Sequence, residues 1–572
     1  MCGIVGTTEK GWASAEMLKR VRHRGPDDMR RALYGDFELG FARLAITGQE
    51  QTADIIHRDG DWLLFNGELF GYPKEQYKTD TEYLFHVLQQ HQLLWEDLNV
   101  QGVRYLPELH GQYAFAYWNN KKQLLTLCRD FFGERPLYFY QNENTKHIYF
   151  SSESKALLPF LEVAAVEYSD IDFLETQVFD VAGMPALKGG LPLSSMVPGI
   201  ATVPANHCVV FKKTDNGFSF RGAFEQLKKW NNPQTTANVG DLLYNAIVER
   251  SDHGNHEIGA YLSGGLDSAL ICCIARPKHV FTCAFNTSIG KREYAFAAKV
   301  AKRIGAVHHV VKPEITREAV ARTVYYTDGP LATQSPIADF ALAAEASKYV
   351  KAVLTGQGAD ELFCGYFRDL LFYEDMLFRS KYARYQPLMD YYHGGVANIE
   401  MNLGERVMWA SAFLHLIKRG GDVIPPWALC AAYGLAKNAI SVLQFVTQME
   451  IAFTLPSLVQ MNDRAAGCAG IEARAPFLDD EVYQGALGLP DEQKIHFDGK
   501  NFITKRAIRD IARGIVPDDI IDCEEKVGLH VPLQGLFPVA TDRRGDYSRA
   551  GYAQFCQDTW RTIVENKGAL HV

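Results

Sequence analysis

Cys2 follows Met1 and precedes Gly3, a neighbour small enough for methionine removal to leave a thiol and an α-amine on one residue. Reference pKa values of about 8.5 for a thiol and about 7.7–8.0 for an α-amine leave part of the amine as free base near neutral pH. One residue can then be nucleophile and base together. An acyl-transfer site also needs donors for an oxyanion and charged groups to hold the ends of its substrate. In Asn66-Gly67-Glu68 a side-chain amide and the next backbone N–H can supply the donors. Arg43 can grip an α-carboxylate through its planar fork, and Asp80 can hold an α-ammonium. Singly these are ordinary ion-pair or turn residues; together they describe a glutamine pocket in which Cys2, Asn66 and Gly67 are catalytic.

A second constellation starts at Ser263-Gly-Gly-Leu-Asp-Ser268, between an apolar strand and a helical run. Gly264 and Gly265 let backbone N–H groups approach an anion, Ser263 and Ser268 add hydroxyls, and the helix N-terminus adds its dipole. The pattern lacks the lysine of a kinase-type phosphate loop, which points to a different cut of ATP. Leu354-Thr-Gly-Gln-Gly-Ala-Asp-Glu-Leu-Phe-Cys-Gly-Tyr366 is a second glycine-rich, acidic turn after a strand. Asp267 and Asp360 are the expected Mg²⁺ ligands, since this cation prefers carboxylate, phosphate and water oxygens. Lys505, with Lys526 in support, is placed to meet negative charge on an adenylate and on departing pyrophosphate.

At 572 residues the chain exceeds one hydrophobic core. Short alternating runs such as Trp62–Phe65, Tyr113–Trp118 and His147–Ser151 make the first unit sheet-rich. Lys, Asn, Gly and Pro dissolve that pattern, so the first domain is set at 1–211 and a linker at 212–237. Beyond it, strands at Ile258–Leu262, Val280–Phe285 and Lys351–Thr355 alternate with helical runs at Ala269–Ala275, Ala295–Ile304 and Ile337–Lys348. That is a parallel sheet with helices on its faces, an α/β domain over 238–540 with a helical insert at Tyr366–Met461 and a tail at 541–572. A formal charge of -9 excludes a polyanion-binding surface, so no nucleic acid is expected. No apolar stretch of about 18–20 residues is evident, so no membrane is expected either. Eleven cysteines without a Cys-x-x-Cys pair fit a reduced, cytoplasmic setting. Cys272 and Cys273, in an apolar run, read as small buried hydrophobes.

Met1-Cys-Gly-Ile-Val-Gly6, Arg22-His-Arg-Gly-Pro-Asp27, Phe65-Asn-Gly-Glu68, Arg129-Asp-Phe-Phe-Gly-Glu-Arg-Pro-Leu-Tyr138 and Ser152-Glu-Ser-Lys-Ala-Leu157 resemble, in order and spacing, the class II glutamine amidotransferase domain. The resemblance implies an Ntn-hydrolase αββα sandwich in which Cys2 forms a thioester and Arg43, Asn66, Glu68 and Asp80 bind glutamine. The second unit resembles the synthetase domain of the asparagine synthetase B family, in the PP-loop ATP pyrophosphatase group. It does so through Tyr261-Leu-Ser-Gly-Gly-Leu-Asp-Ser268, the acidic turn, Asp463-Arg464, Ile471-Glu-Ala-Arg-Ala-Pro-Phe-Leu-Asp479 and Lys505-Arg-Ala-Ile-Arg509. This likeness implies ATP bound by Leu262, Ser263, Gly264, Gly265, Asp267, Ser268, Gly356, Gln357 and Gly358, with Asp360, Glu361 and Lys526 at the adenylate. The implied partners are glutamine and a carboxylate acceptor, aspartate or a larger acid, and a homodimer is allowed. Ala332 stands where the family carries an aspartate-holding arginine and Gln357 where it carries a glutamate. Both acceptors therefore stay open.

Overall fold

The computed structural model describes residues 1–11, 13–46, 55–90, 109–161, 197, 199–225, 238–252, 256–331, 333–377, 410, 413–414, 426–523, 531, 533, 536–537 and 549–570. Strands β1 (Gly3–Thr7), β2 (Asp28–Tyr34), β3 (Phe37–Arg43), β8 (Tyr138–Gln141), β9 (Ile148–Ser151) and β10 (Ala201–Thr202) make one sheet, in the order β10-β8-β9-β1-β3-β2. Strands β4 (Ile55–Arg58), β5 (Asp61–Leu69), β6 (Gly111–Asn119), β7 (Leu124–Arg129), β11 (His207–Thr214) and β12 (Gly217–Glu225) make the other, in the order β12-β11-β7-β6-β5-β4. The sheets face each other across Ile4, Phe41, Trp62, Leu64, Ala116, Leu127, Phe150 and Phe211. Leu63 and Phe65 alternate to the opposite face of β5, where helix α2 (Asp80–Gln90) supplies Leu84 and Leu88. Such strands are apolar on both faces because both are covered. Helix α1 (Ala13–Val21) covers the first sheet through Met17, Leu18 and Val21, which completes the expected αββα layering.

Two boundaries differ from the sequence expectation. Residues 212–225 are not linker, because β11 and β12 form an antiparallel hairpin that pairs Thr214 with Gly217. Asn216-Gly217, read as a loop signal, is the tight-turn step between two strands. Within the expected tail, 541–572, the described residues include a helix that packs into the core. This helix, Arg549–Glu565, buries Tyr552, Cys556, Trp560 and Ile563 at helical spacing in the core that joins the domains.

In the second domain, β13 (Ile258–Tyr261), β14 (His279–Cys283), β15 (Val307–Val311), β16 (Ala352–Leu354) and β17 (Glu472–Arg474) form a parallel sheet ordered β15-β14-β13-β16-β17. Helices α3 (Val239–Ser251), α4 (Leu266–Ala275) and α5 (Ser288–Ile304) cover one face. Helices α6 (Arg317–Thr327) and α7 (Ser335–Ala346) cover the other. Cys272 and Cys273 are buried on α4, as expected. The chain runs from β13 outward to β15 and returns to β16 on the other side of β13, so the loops after β13 and β16 diverge at a topological switch point. Open parallel sheets bind ligands in that crevice.

After β16 comes the short helix α8 (Ala359–Phe363), and where it is described the expected insert Tyr366–Met461 is helical: α9 (Phe367–Leu377), α10 (Pro426–Asn438), α11 (Val442–Met449) and the start of α12 (Leu455–Cys468). The continuous helical run Val442–Cys468 is long and apolar enough to cross a membrane by length and composition, contrary to the sequence reading. The protein buries 61% of its most apolar window, as in a core helix.

The domains meet through a buried ionic layer. Arg24 reaches Asp463 at 2.7 Å and Glu153 at 3.1 Å, Arg135 reaches Asp463 at 3.3 Å and Glu472 at 3.6 Å, and Arg464 reaches Glu153 at 2.9 Å and Asp328 at 3.3 Å. Lys155 contacts Glu153 and lies 3.6 Å from Asp328. Removing one member strands its partner's charge without water, at a cost of about 3–5 kcal/mol. Asp463→Ala is expected to lose about that much stability in urea unfolding. A loss below about 1 kcal/mol would mean that the layer is hydrated.

Candidate active site

The first site lies at the edge of the sandwich where β1 begins. A pocket there is lined by Met1, Cys2, Arg43, Gly67, Glu68, Asp80 and, from the second domain, Glu472. The sequence-chosen residues of the glutamine pocket therefore converge. Their positioning is local: β1 places Cys2 just ahead of its first residue, Arg43 ends β3, and Asp80 opens α2. Asn66-Gly67-Glu68 does not follow a strand, as the sequence reading had it, but lies inside β5, with Gly67 opposite Tyr113. A Cβ on Gly67 would stand 2.1 Å from the Gln112 carbonyl oxygen, so only glycine lets β6 come this close.

Asn66 divides its amide between two tasks. Its Oδ1 accepts the Cys2 N–H at 2.9 Å, while its Nδ2 is buried with no partner. An unpaired buried donor is costly, and an oxyanion would satisfy it. Met1 is itself buried, its amine pushed down to about 6 by burial against the pull of Glu472. Removing Met1 would clear that space and put the free amine on Cys2. Asp80 is pushed up to about 6 by burial, although the Leu69 and Thr81 N–H groups oppose the shift.

Glu68 lines the same pocket and is also engaged by the second domain. Its carboxylate lies 2.7 Å from Arg474 of the second domain, and burial next to Glu472 and Asp80 still pushes it up to about 8. Burial works on Glu472 in the same direction, but the Met1 amine, Arg474 and Arg135 together hold it down at about 2. Sequence reasoning assigned no role to Glu472 or Arg474. Both stand in the quoted Ile471–Asp479 motif, and charged residues inside a short apolar strand were the available signal.

The second site occupies the switch point. Ser263 Oγ and Ser268 Oγ are 3.1 Å apart, and Ser263 Oγ accepts the Gly265 N–H at 3.3 Å, so the loop is closed on itself with α4 starting at Leu266. Leu262 is buried beneath it, and Gly264 lies against Glu293. Gly356, Gln357 and Gly358 turn the chain from β16 into α8, and Gly356 approaches Asp267. Lys505 joins the two turns, since its Nζ lies 2.6 Å from Asp267 and 2.6 Å from Asp360. Burial works against its charge, yet the two carboxylates hold it above the usual lysine range. Gly365, unremarked in the sequence, permits this meeting: a Cβ there would stand 2.0 Å from Asp360 Oδ1 and 2.1 Å from Lys505 Cε. Glu361 is buried against the Tyr366 hydroxyl, and burial beside Asp360 pushes it up to about 7. Lys526 and Ala332 lie outside the described residues.

Asp267 and Asp360 fit a hard cation, because they converge on one point and Asp267 Oδ1 is buried without a hydrogen bond. His110, Glu249 and Asp479 also converge, but Arg250 already supplies the positive charge at 2.8 Å from Asp479.

A two-layer antiparallel sandwich with a thiol at its first strand, joined to a parallel α/β domain with glycine-rich turns at its switch point, defines a glutamine amidotransferase coupled to a nucleotide-using ligase. The sequence pattern described as asparagine synthase matches residues 238–544, and that described as a glutamine amidotransferase domain matches residues 1–207. The chain belongs to the asparagine synthase family. It is similar to asparagine synthetase [glutamine-hydrolyzing] 1 of Bacillus subtilis, with 26% identity over 93% of this chain and 87% of the relative. It is also similar to a putative asparagine synthetase [glutamine-hydrolyzing] of Mycobacterium tuberculosis H37Rv, with 26% identity over 95% of this chain and 87% of that one. Among solved structures, glutamine phosphoribosylpyrophosphate amidotransferase from B. subtilis aligns at 13% identity over 54% of this chain and 65% of the other, with a TM-score of 0.25.

A carboxylate grips an ammonium only when ionised, and kcat/KM reports ionisation in the free enzyme. With Asp80 at about 6, kcat/KM for glutamine cleavage is expected to show an added fall as pH drops through 6, below the separate step from the Cys2 amine at higher pH. Asp80→Asn should lower kcat/KM and remove that added fall; an unchanged pH profile would separate Asp80 from substrate binding.

Proposed function

We propose that this enzyme takes ammonia from glutamine at Cys2 and delivers it to a carboxylate that the second domain has activated with ATP, with aspartate as the acceptor and asparagine as the product. The observation that carries the reading is a shared strand pair. Glu472 on β17 lines the thiol pocket, while β16, paired with β17, runs directly into the Gly356–Glu361 turn.

At the first site the Cys2 amine takes the thiol proton, and the thiolate attacks the amide carbon of glutamine. Asn66 Nδ2 and the Gly67 N–H hold the oxyanion, ammonia leaves, and water releases glutamate from the thioester. Arg43 and Asp80 hold the two charged ends of the glutamine. Glu68 supports this pocket from its ion pair with Arg474.

At the second site an acceptor carboxylate oxygen attacks the α-phosphorus of ATP and pyrophosphate leaves, because oxide itself is too poor a leaving group for amide formation. Ammonia then attacks the acyl carbon and AMP departs. Leu262, Ser263, Gly264, Gly265 and Ser268 cradle the nucleotide with Gly356, Gln357 and Gly358, and Glu361 borders the adenylate. Asp267 and Asp360 would hold Mg²⁺, which would neutralise phosphate charge when bound. Lys505, with Lys526, would then be released from its carboxylates toward the phosphates. Passage of ammonia through covered space keeps it unprotonated. The names of the similar proteins favour aspartate. Gln357, a neutral amide that can neither pair an ammonium nor act as a base, favours a larger acid as the second reading. No disulfide joins the described cysteines, which fits a reducing cytoplasm.

Cys2→Ala is expected to abolish glutamine-dependent amide formation and leave ammonia-dependent formation intact, with both followed by mass spectrometry. Loss of both in a folded protein would refute the division into two sites. Asp267→Asn should stop pyrophosphate release and spare glutamine cleavage; undiminished release would remove Asp267 from the nucleotide site.

A further inference from the structure

Tyr261 ends β13, one residue before the loop that starts at Leu262, and its side chain lies on the sheet face opposite α4. Its hydroxyl is buried and has no hydrogen-bond partner. Phe281 is its register partner on β14, and Cys283, two residues further along the same face, sends its Sγ to the Ala338 carbonyl at 3.6 Å. Helix α7 therefore packs onto this end of the sheet and brings Asp339 with it. No hydrogen bond or ion pair reaches Asp339 from the described residues. It is only half-buried by exposure, yet burial alone pushes its carboxyl up to about 7, and its charge is felt by Tyr261 and Cys283. Asp339 thus keeps part of its surface open at this end of the sheet.

These features lie at the C-terminal edge of the parallel sheet, beside the switch point and on the face continuous with the first domain's outer layer. The core cluster on that face runs from Val5, Met17 and Tyr138 to Phe281, Cys283 and Ile337. The named charges of the interdomain layer have counterions, whereas among the described residues neither the Asp339 carboxyl nor the Tyr261 hydroxyl has a hydrogen-bond or ion-pair partner. Buried polar groups without partners carry a penalty that a ligand with complementary donors removes.

We propose that Asp339 and Tyr261 recognise the ammonium group of the acceptor, and so restrict this enzyme to carboxylic acids that also carry an amine. This inference rests on the reading that the second domain activates a carboxylate. An ammonium offers three donors and a full positive charge, which answers a lone carboxylate and a phenol oxygen together. A nucleotide phosphate would be repelled from the same carboxylate. With its ammonium held here, the acceptor can turn its carboxyl toward the phosphates at the crevice. Asp339 lies on the helix that follows the Leu331–Pro336 segment, where Ala332 replaces the expected arginine. The cation-binding half of acceptor recognition thus has a candidate where the anion-binding half is changed.

The test uses the full-length enzyme with Mg-ATP, an ammonium salt as nitrogen source, and either aspartate or its amine-free counterpart succinate, reading pyrophosphate and amide. Asp339→Asn preserves shape and removes charge. It is expected to raise KM for aspartate about tenfold or more, the effect of losing a charge-assisted bond, with KM for ATP and glutamine cleavage unchanged. Tyr261→Phe should raise the same KM by a smaller factor, and its packing-neutral change covers a folding failure in the first variant. An unchanged aspartate KM in both variants overturns the proposal. A rise in KM for ATP without one for aspartate also overturns it, by assigning the pair to the nucleotide. A wild-type enzyme that amidates only succinate overturns the proposal and leaves the carboxylate-activation reading standing. A wild-type enzyme that releases no pyrophosphate with any acid overturns both.

Discussion

The ionic layer between the domains is the constraint on which both sites depend. Arg24, Arg135, Lys155, Arg464 and Arg474 face Glu68, Glu153, Asp328, Asp463 and Glu472, with partners drawn from both domains. Buried ion pairs contribute little net stability over a well-packed apolar surface, because desolvation consumes most of the attraction. Their geometry, however, is directional. Arg24 holds Asp463 through two nitrogens at 2.7 and 3.0 Å, and Asp328 accepts the Ser154 and Lys155 N–H groups. A slide of one domain over the other would break several such contacts at once and leave charges dry. Such directional contacts oppose relative movement of the two domains.

Within that layer, β17 links the chemistry of the two sites. The Thr355 N–H donates to the Arg474 carbonyl at 2.9 Å, and the Glu472 N–H donates to the Lys351 carbonyl at 2.9 Å, so β16 and β17 are locked in register. One side of this pair carries Glu472 and Arg474 into contact with Met1 and Glu68; its end becomes the turn that brings Asp360 to Lys505. Any change in charge at the thiol pocket acts on Glu472, since the N-terminal amine is the largest favourable influence on that carboxylate. Removal of Met1, which the proposed mechanism calls for, would therefore act on the interface as well as on Cys2.

Much of this was legible in the sequence, for physical reasons that also explain the misses. Residues whose chemistry is carried by the backbone turn that bears them, such as Gly67 or Ser263–Ser268, could be found because type and spacing fix their geometry. Arg43 and Asp80 are far apart in the chain and were joined by the two opposite charges that a free amino acid presents, a link the family resemblance reinforced. The sheet-rich first unit and the parallel sheet followed from alternation and from the strand-helix rhythm, and the αββα layering from the family resemblance. The hairpin of β11 and β12 was missed because an Asn-Gly step marks both a loop and a tight turn, and only the strand on its far side distinguishes them. The helix Arg549–Glu565 was missed because its buried Tyr, Cys, Trp and Ile are diluted by charges on the other face. The charges of β17 could not be read as interfacial, since nothing local says that a buried arginine will find its glutamate in another domain.

The distribution of unsatisfied groups separates architecture from function in this molecule. Along the interface, buried charges are answered by opposite charges, as their desolvation demands. At the two sites and at the Tyr261 edge of the sheet, Asn66 Nδ2, Asp267 Oδ1 and the Tyr261 hydroxyl are not. Absence of a partner alone does not mark a site, because the indoles of Trp62 and Trp560 are unpaired as well, each enclosed in a sealed apolar core. What distinguishes the first three is position: beside the thiol, in the phosphate turn, and at the C-terminal edge of the sheet, where connecting loops leave room for a ligand. Polar atoms held in such places without partners are arranged as a site needs them to be, ready for groups that would arrive with a substrate.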